Sequence, residues 1–151
     1  MPTITPFLWF DTQAEEAMNF YASVYPQSKV LSVNRAQGQV MSVEFELQGQ
    51  KFMALNAGPV YKFNEAVSFF VACDTQQEID DLWAKLTADG GEPGRCGWLK
   101  DKFGLSWQIV PSSLGRLMGS DDPVRSKRVV DALLQMNKLD ADRLQQAFDG
   151  A

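Results

Sequence analysis

Apolar and polar positions along this chain change period twice, in the same order each time. Phe7-Leu8-Trp9-Phe10 is a short apolar run of the kind a strand makes. Ala17, Phe20, Tyr21 and Val24 then fall at the spacing of one helical face, which Pro26 stops. Sixty-three residues later the pattern returns. Phe70-Val71-Ala72-Cys73 is the strand, Ile79, Leu82, Trp83 and Leu86 are the face, and Asp89-Gly90-Gly91 is the stop. Between strand and helix, Asp11-Thr12-Gln13-Ala14-Glu15 recurs as Asp74-Thr75-Gln76-Gln77-Glu78. Thr12 with Glu15, and Thr75 with Glu78, have the spacing of a capping box, in which hydroxyl and carboxylate satisfy free amides at a helix start.

Three further strands are predicted after each helix. In the first half they are 29–34, 40–47 and 51–56, the last two joined by Gln48-Gly49-Gln50; in the second a short strand lies near Glu92, followed by 96–101 and 105–110. Gly49 and Gly104 each open a fourth strand. The chain therefore divides into a first βαβββ unit (1–57), a linker (58–64), a second βαβββ unit (65–111) and a helical tail (112–151), within one structural domain. The fold class is α+β. Two such units bury the open faces of their sheets most economically by pairing into a curved, barrel-like cup. In the tail, Asp122 caps and Pro123 opens a helix with Val129, Ala132, Leu133 and Met136 as apolar positions. Asp140 caps a second helix, with Leu139 and Leu144 placed as a hydrophobic staple. The tail packs on the body or on a partner subunit.

Composition narrows the function classes. The 151 residues carry a net charge of −5, and the first 111 hold 8 basic and 13 acidic side chains against 6 of each in the tail. No basic stripe exists to neutralise phosphates, so nucleic acid is not an expected partner. No apolar run reaches the roughly 18 residues of a membrane span, and the N-terminus lacks the pattern of a secretory signal. The two cysteines, Cys73 and Cys96, sit in strand-like surroundings, which predicts reduced thiols and a cytoplasmic location. There is no histidine, so no Ser–His or Cys–His pair can form. Gly91, Gly94 and Gly97 lack the following helix that a phosphate cradle needs and read as turn glycines. Glu44 and Glu46 share one strand face and are expected to be solvent-exposed.

The stretches ITPFLWFDTQAEEAMNFY, FNEAVSFFV and CGWLKDKFGLSWQIVP together resemble the PhnB-like branch, labelled demethylubiquinone methyltransferase-like, of the vicinal oxygen chelate superfamily. That superfamily includes glyoxalase, bleomycin-resistance proteins and extradiol dioxygenases. The resemblance covers about residues 3–140 and implies the tandem βαβββ cup. It also implies that a divalent ion, where relatives use one, is held at the positions of Thr5, Met53, Ser68 and Gln108. These supply hydroxyls, a thioether and an amide where a tight site uses imidazole and carboxylate, so no cofactor is expected. The methyltransferase label has no counterpart in the residues, because the glycine-rich turn of a doubly wound sheet is lacking.

Strand alternation places Trp98 and Lys100 on one face and sets Gln108 opposite in sense to Trp107, which is expected to be core. Either Trp98 and Lys100 line a cavity, or Trp98 is core and Lys100 reaches water. The resemblance assigns Gln108 to the inner face. The candidate ligand-binding cavity is then Trp9, Ser68, Trp98, Lys100 and Gln108, with Lys100 its only charge, favouring a small anionic or aromatic molecule. The function expected is small-molecule binding by a homodimer that needs no metal. An enzyme acting on an aromatic or quinone-like compound is the alternative, and a stress or regulatory module a third class; whether any reaction is catalysed is left open.

Overall fold

The computed structural model describes residues 1–151, which form two compact units, Met1–Lys62 and Phe63–Ala151. The first runs β1 (Phe7–Phe10), α1 (Ala14–Val24), β2 (Ser28–Ala36), β3 (Gln39–Leu47) and β4 (Gln50–Asn56). The second runs β5 (Ser68–Cys73), α2 (Gln76–Thr87), β6 (Glu92–Pro93), β7 (Trp98–Lys100) and β8 (Ser106–Pro111), then the helices α3 (Leu114–Met118), α4 (Pro123–Leu133) and α5 (Ala141–Asp149). Each unit is βαβββ, so the chain is α+β with two four-stranded mixed sheets, ordered β1-β4-β3-β2 and β5-β8-β7-β6. In both, the first strand pairs parallel with the fourth and the rest pair antiparallel. Even the register repeats: Phe7 faces Met53 as Phe70 faces Gln108.

The two helix starts have diverged. Thr75 caps α2 as expected, its hydroxyl accepting from the Glu78 amide at 3.2 Å and donating to the Glu78 carboxylate. The capping box expected at Thr12 and Glu15 does not form. The N-cap is Gln13, without a side-chain bond, and the Ala14 amide donates instead to Asn56 Oδ1 at 2.8 Å. An amide at the end of β4 has replaced the hydroxyl, tying helix to sheet. The buried face of α1 is Ala14, Ala17, Met18, Tyr21 and Val24, so Met18 takes the place expected of Phe20. Under it, Tyr21, Phe45 and Phe52 stack with ring centroids 6.3 and 5.4 Å apart. Glu44 and Glu46 are half-buried rather than free in water: Lys51 lies 3.3 Å from Glu44 and Lys29 3.9 Å from Glu46.

The tail belongs to the second unit. Asp122 accepts from the Val124 and Arg125 amides and Asp140 from that of Arg143, as their positions predict. Val110 at the end of β8 packs with Leu114, Leu117, Val129, Met136, Leu139 and Leu144. Gln76 at the start of α2 bonds both the Leu139 carbonyl and the Ala141 amide. Gly97, just before β7, meets the tail too closely for a side chain: a Cβ would lie 3.0 Å from Leu139 Cδ1 and 2.9 Å from the Ile109 carbonyl. Its positive φ, and that of Cys96, delay the strand expected from residue 96 until Trp98. Gly91 and Gly94 are likewise sites of close backbone approach, not left-handed turns.

The hairpin between β7 and β8 is organised by a residue that periodicity does not mark. Asp101 is 2% exposed. Its Oδ1 accepts from the Phe103 and Leu105 amides at 2.9 and 3.1 Å, and its Oδ2 from the Trp107 indole N–H at 2.9 Å. The backbone closes the same loop through Gly104 N to Asp101 O and Asp101 N to Leu105 O, both 2.9 Å, with Gly104 at φ 88°. This is a three-residue loop with a left-handed glycine at its end. Removing the carboxylate strands three donors. Asp101→Ala is therefore expected to cost about 3 kcal/mol in urea unfolding, and Asp101→Asn, which keeps an acceptor, about half that.

Candidate functional site

Alternation on β8 sorts its side chains into two faces. Trp107 and Ile109 are buried with Leu99, which pairs with Trp107, on the face that α2 covers with Ile79, Leu82 and Leu86. Ser106 and Gln108 point the other way. Across the sheet, Glu92, Lys100, Ser106 and Ser68 stand in one row of paired positions, and Trp98, Gln108 and Phe70 in the next. Four of the five residues grouped from the sequence thus share the face turned away from α2. Gln108 Nε2 donates to Ser68 Oγ at 2.9 Å, joining the rows diagonally. Trp9, the fifth, belongs to the first unit. It lies opposite Leu55 on β1, donates its indole N–H to the Gly58 carbonyl at 2.9 Å and meets Tyr61 edge-on at 4.8 Å. Phe10, its neighbour, is buried on the other face.

An open cavity of about 120 Å³ borders this face, lined by Glu65, Glu92, Pro93, Gly94, Trp98, Leu99, Lys100 and Ser106. Two of its features escaped the sequence reading. Lys100 is not the only charge: its ammonium is paired with the Glu65 carboxylate, and Glu92 stands directly opposite it on β6. The bond to Lys100 holds the Glu65 carboxyl below its ordinary range, and the same bond raises Lys100. Lys100 is therefore not a lone ammonium, and an anion would reach it only by displacing Glu65. Glu65 lies 35 positions from Lys100, at the first position of the expected second unit, and nothing local marks it. The second feature is Ser106, fully buried with its hydroxyl lacking any hydrogen-bond partner.

The positions that the resemblance assigns to a metal do not fit one. In the second unit, Gln108 spends its amide N–H on Ser68, and neither offers an imidazole or carboxylate. In the first, Thr5 precedes β1 and Met53 brings a thioether. No three His, Cys, Asp or Glu side chains gather where a cation could be held. Nor is there a reactive thiol at Cys73: burial, then the nearby Glu78 and Asp74 carboxylates, push it up to about 11, which keeps it protonated at neutral pH. Both cysteines are free, and no helix is long and apolar enough to cross a membrane.

Comparison with known proteins agrees with this architecture. The family model described as 3-demethylubiquinone-9 3-methyltransferase matches residues 2–110. Among solved structures, a putative 3-demethylubiquinone-9 3-methyltransferase, PhnB protein, from Bacillus cereus is 36% identical. The match covers 73% of this chain and 99% of that one, with a TM-score of 0.68. A Pseudomonas aeruginosa protein is 20% identical over 74% and 98% of the two chains, with a TM-score of 0.58. The fosfomycin resistance protein FosX from Listeria monocytogenes, complexed with Mn(II), is 10% identical over 77% and 98%, with a TM-score of 0.54, a likeness of fold alone. A search of the curated proteins returns no match.

The ion pair at the cavity mouth has a measurable signature. Because Glu65 is held low, the pair persists through neutral pH and is lost only as pH falls through that lowered value. Carbon-detected NMR titration should find the Glu65 midpoint below that of an ordinary glutamate. Lys100→Met should move it back up; an unchanged midpoint would show that the two side chains do not pair.

Proposed function

Because the chain belongs to the 3-demethylubiquinone-9 3-methyltransferase family, the PhnB-like branch of the vicinal oxygen chelate superfamily, we propose that it binds a small planar organic molecule beside Trp98 and Gln108. The observation that carries this reading is the face of the second sheet turned away from α2. There an indole and a few convergent polar groups border a cavity, with the Gln108 amide at the position paired with Trp98, the composition of sites that take small organic ligands. The indole offers stacking area, and Gln108 offers an amide carbonyl that its bond to Ser68 leaves available to accept.

Binding on this reading requires no resident metal, since the donor set at the superfamily positions suits hydrogen bonds better than a divalent cation. Methyl transfer is not part of the proposal. The chain's two βαβββ sheets are not the doubly wound parallel sheet on which a nucleotide-like methyl donor is ordinarily held. The reading places the protein in the cytoplasm, in keeping with two free thiols. It also makes the protein a homodimer. The tail gives the dimer less support than its stripe suggested, since Val129 and Met136 are buried and Ala132 and Leu133 partly buried within its own unit. Support comes from β2, a nine-residue edge strand that exposes Val30 and Leu31.

A thermal-shift series of neutral and charged aromatic compounds, run with and without a chelator, tests the binding. At least one aromatic compound should stabilise the protein equally in both conditions. Trp98→Ala should weaken its binding about tenfold, the loss of one aromatic contact with its buried area; Gln108→Ala should also weaken it. Stabilisation that survives both substitutions would place the ligand elsewhere. Light scattering at micromolar concentration should give twice 16.9 kDa, and a monomeric mass would remove the dimer.

A further inference from the structure

We infer that the cavity beside Trp98 takes the carboxylate of a small aromatic monoacid, seated between the Lys100 ammonium and the Ser106 hydroxyl in the place Glu65 now holds. The inference rests on the binding site proposed above and names the ligand class it takes.

Glu65 serves as an internal stand-in. Its carboxylate occupies Lys100, yet it is carried on the short turn before β5, where the Ala66 amide bonds Asn64 Oδ1 at 2.8 Å. The two side chains are 57% and 40% exposed. A pair so open to water gains little from its contact, so an incoming carboxylate can displace it without disturbing the fold. What Glu65 leaves undone is Ser106. That hydroxyl is fully buried in the cavity wall, and no protein group bonds it. A buried hydroxyl without a partner is a cost that a ligand oxygen would remove. Lys100 and Ser106 are paired positions on adjacent strands. A carboxylate has two oxygens to give them, one to the ammonium and one to the hydroxyl.

The rest of the cavity sets the ligand's shape and charge. Trp98, one row along the sheet, supplies the surface for an aromatic body. Glu92, facing Lys100 from β6, places a fixed negative charge at the opposite side. The lining offers one ammonium and two carboxylates, so a second carboxylate on the ligand would find no cation to pair with; a monoanion fits and a dianion does not.

Calorimetric titration of benzoate, benzamide and phthalate tests the inference in wild type, Glu65→Gln, Ser106→Ala, Lys100→Met and the Glu65→Gln double variants. Circular dichroism melts confirm that each folds. Glu65→Gln should tighten benzoate about three- to fivefold, the equivalent of releasing one exposed ion pair, and leave benzamide unchanged. Ser106→Ala should weaken benzoate in both backgrounds, Lys100→Met should erase the gain from Glu65→Gln, and phthalate should bind less well than benzoate. The inference is overturned if Glu65→Gln leaves benzoate unchanged or weaker, or strengthens benzamide equally. Should neutral aromatics bind beside Trp98 while no carboxylate does, the monoacid falls and the binding site stands. If no aromatic of any charge binds, both fall.

Discussion

A single buried carboxylate orders the strand pair on which the candidate site is built. Asp101 gathers two backbone amides of its own loop and the indole of Trp107 onto one side chain. The amide bonds fix the loop conformation; the indole bond fixes which way β8 faces when it leaves the loop. With Trp107 held toward α2, Gln108 must turn away from it, and the pairing of Trp98 with Gln108 and Lys100 with Ser106 follows. A slip of one residue would exchange the faces and bury Gln108 where the indole belongs. Register here is a polar constraint as much as an apolar one. Burying a carboxyl group so deeply is tolerable because three donors surround it.

The two βαβββ units show how one topology carries different chemistry. Strand order, strand sense and the register of first strand on fourth agree between them. The side chains set at equivalent points do not. Met53 and Gln108 hold the same register position, one a thioether, the other an amide bonded to Ser68. One helix is capped by its own threonine and the other by an asparagine from the last strand of its sheet. The backbone frame depends on hydrogen bonds any residue can make, so duplication preserves it while the side chains drift. The helical tail adds a second apolar cluster to one unit only, anchored through Val110 and the close approach at Gly97.

That drift explains why the family resemblance is informative about architecture and much less so about chemistry. A fold shared by many activities is specified by core and turns, whereas an activity depends on a handful of side chains at fixed positions. At those positions this chain carries neutral donors and acceptors. Its charges lie beside them, where Lys100 pairs with Glu65 and faces Glu92 across the strand pair.

Local periodicity determined most of the architecture. The repeat at 63 residues, the helical faces, the caps at Thr75, Asp122 and Asp140, and the shared face of Trp98 and Lys100 all follow from spacing within a few residues, while the family resemblance added Gln108 to them. Spacing alone decides which side chains share a strand face or a helix face. Asp101 was within reach of the same reasoning, since an aspartate opening a Lys-Phe-Gly loop is a known turn former. Other features were decided by tertiary structure alone. Asn56 caps a helix 42 residues before it, Glu65 reaches Lys100 across 35 positions, and the hydroxyl of Ser106 is enclosed without a partner. These depend on where loops return in space, and a sequence pattern carries no signal for a contact whose two halves lie on separate elements. The charge of the cavity was misread for that reason: Lys100 stands alone on its strand, and only the returning chain brings a carboxylate to it.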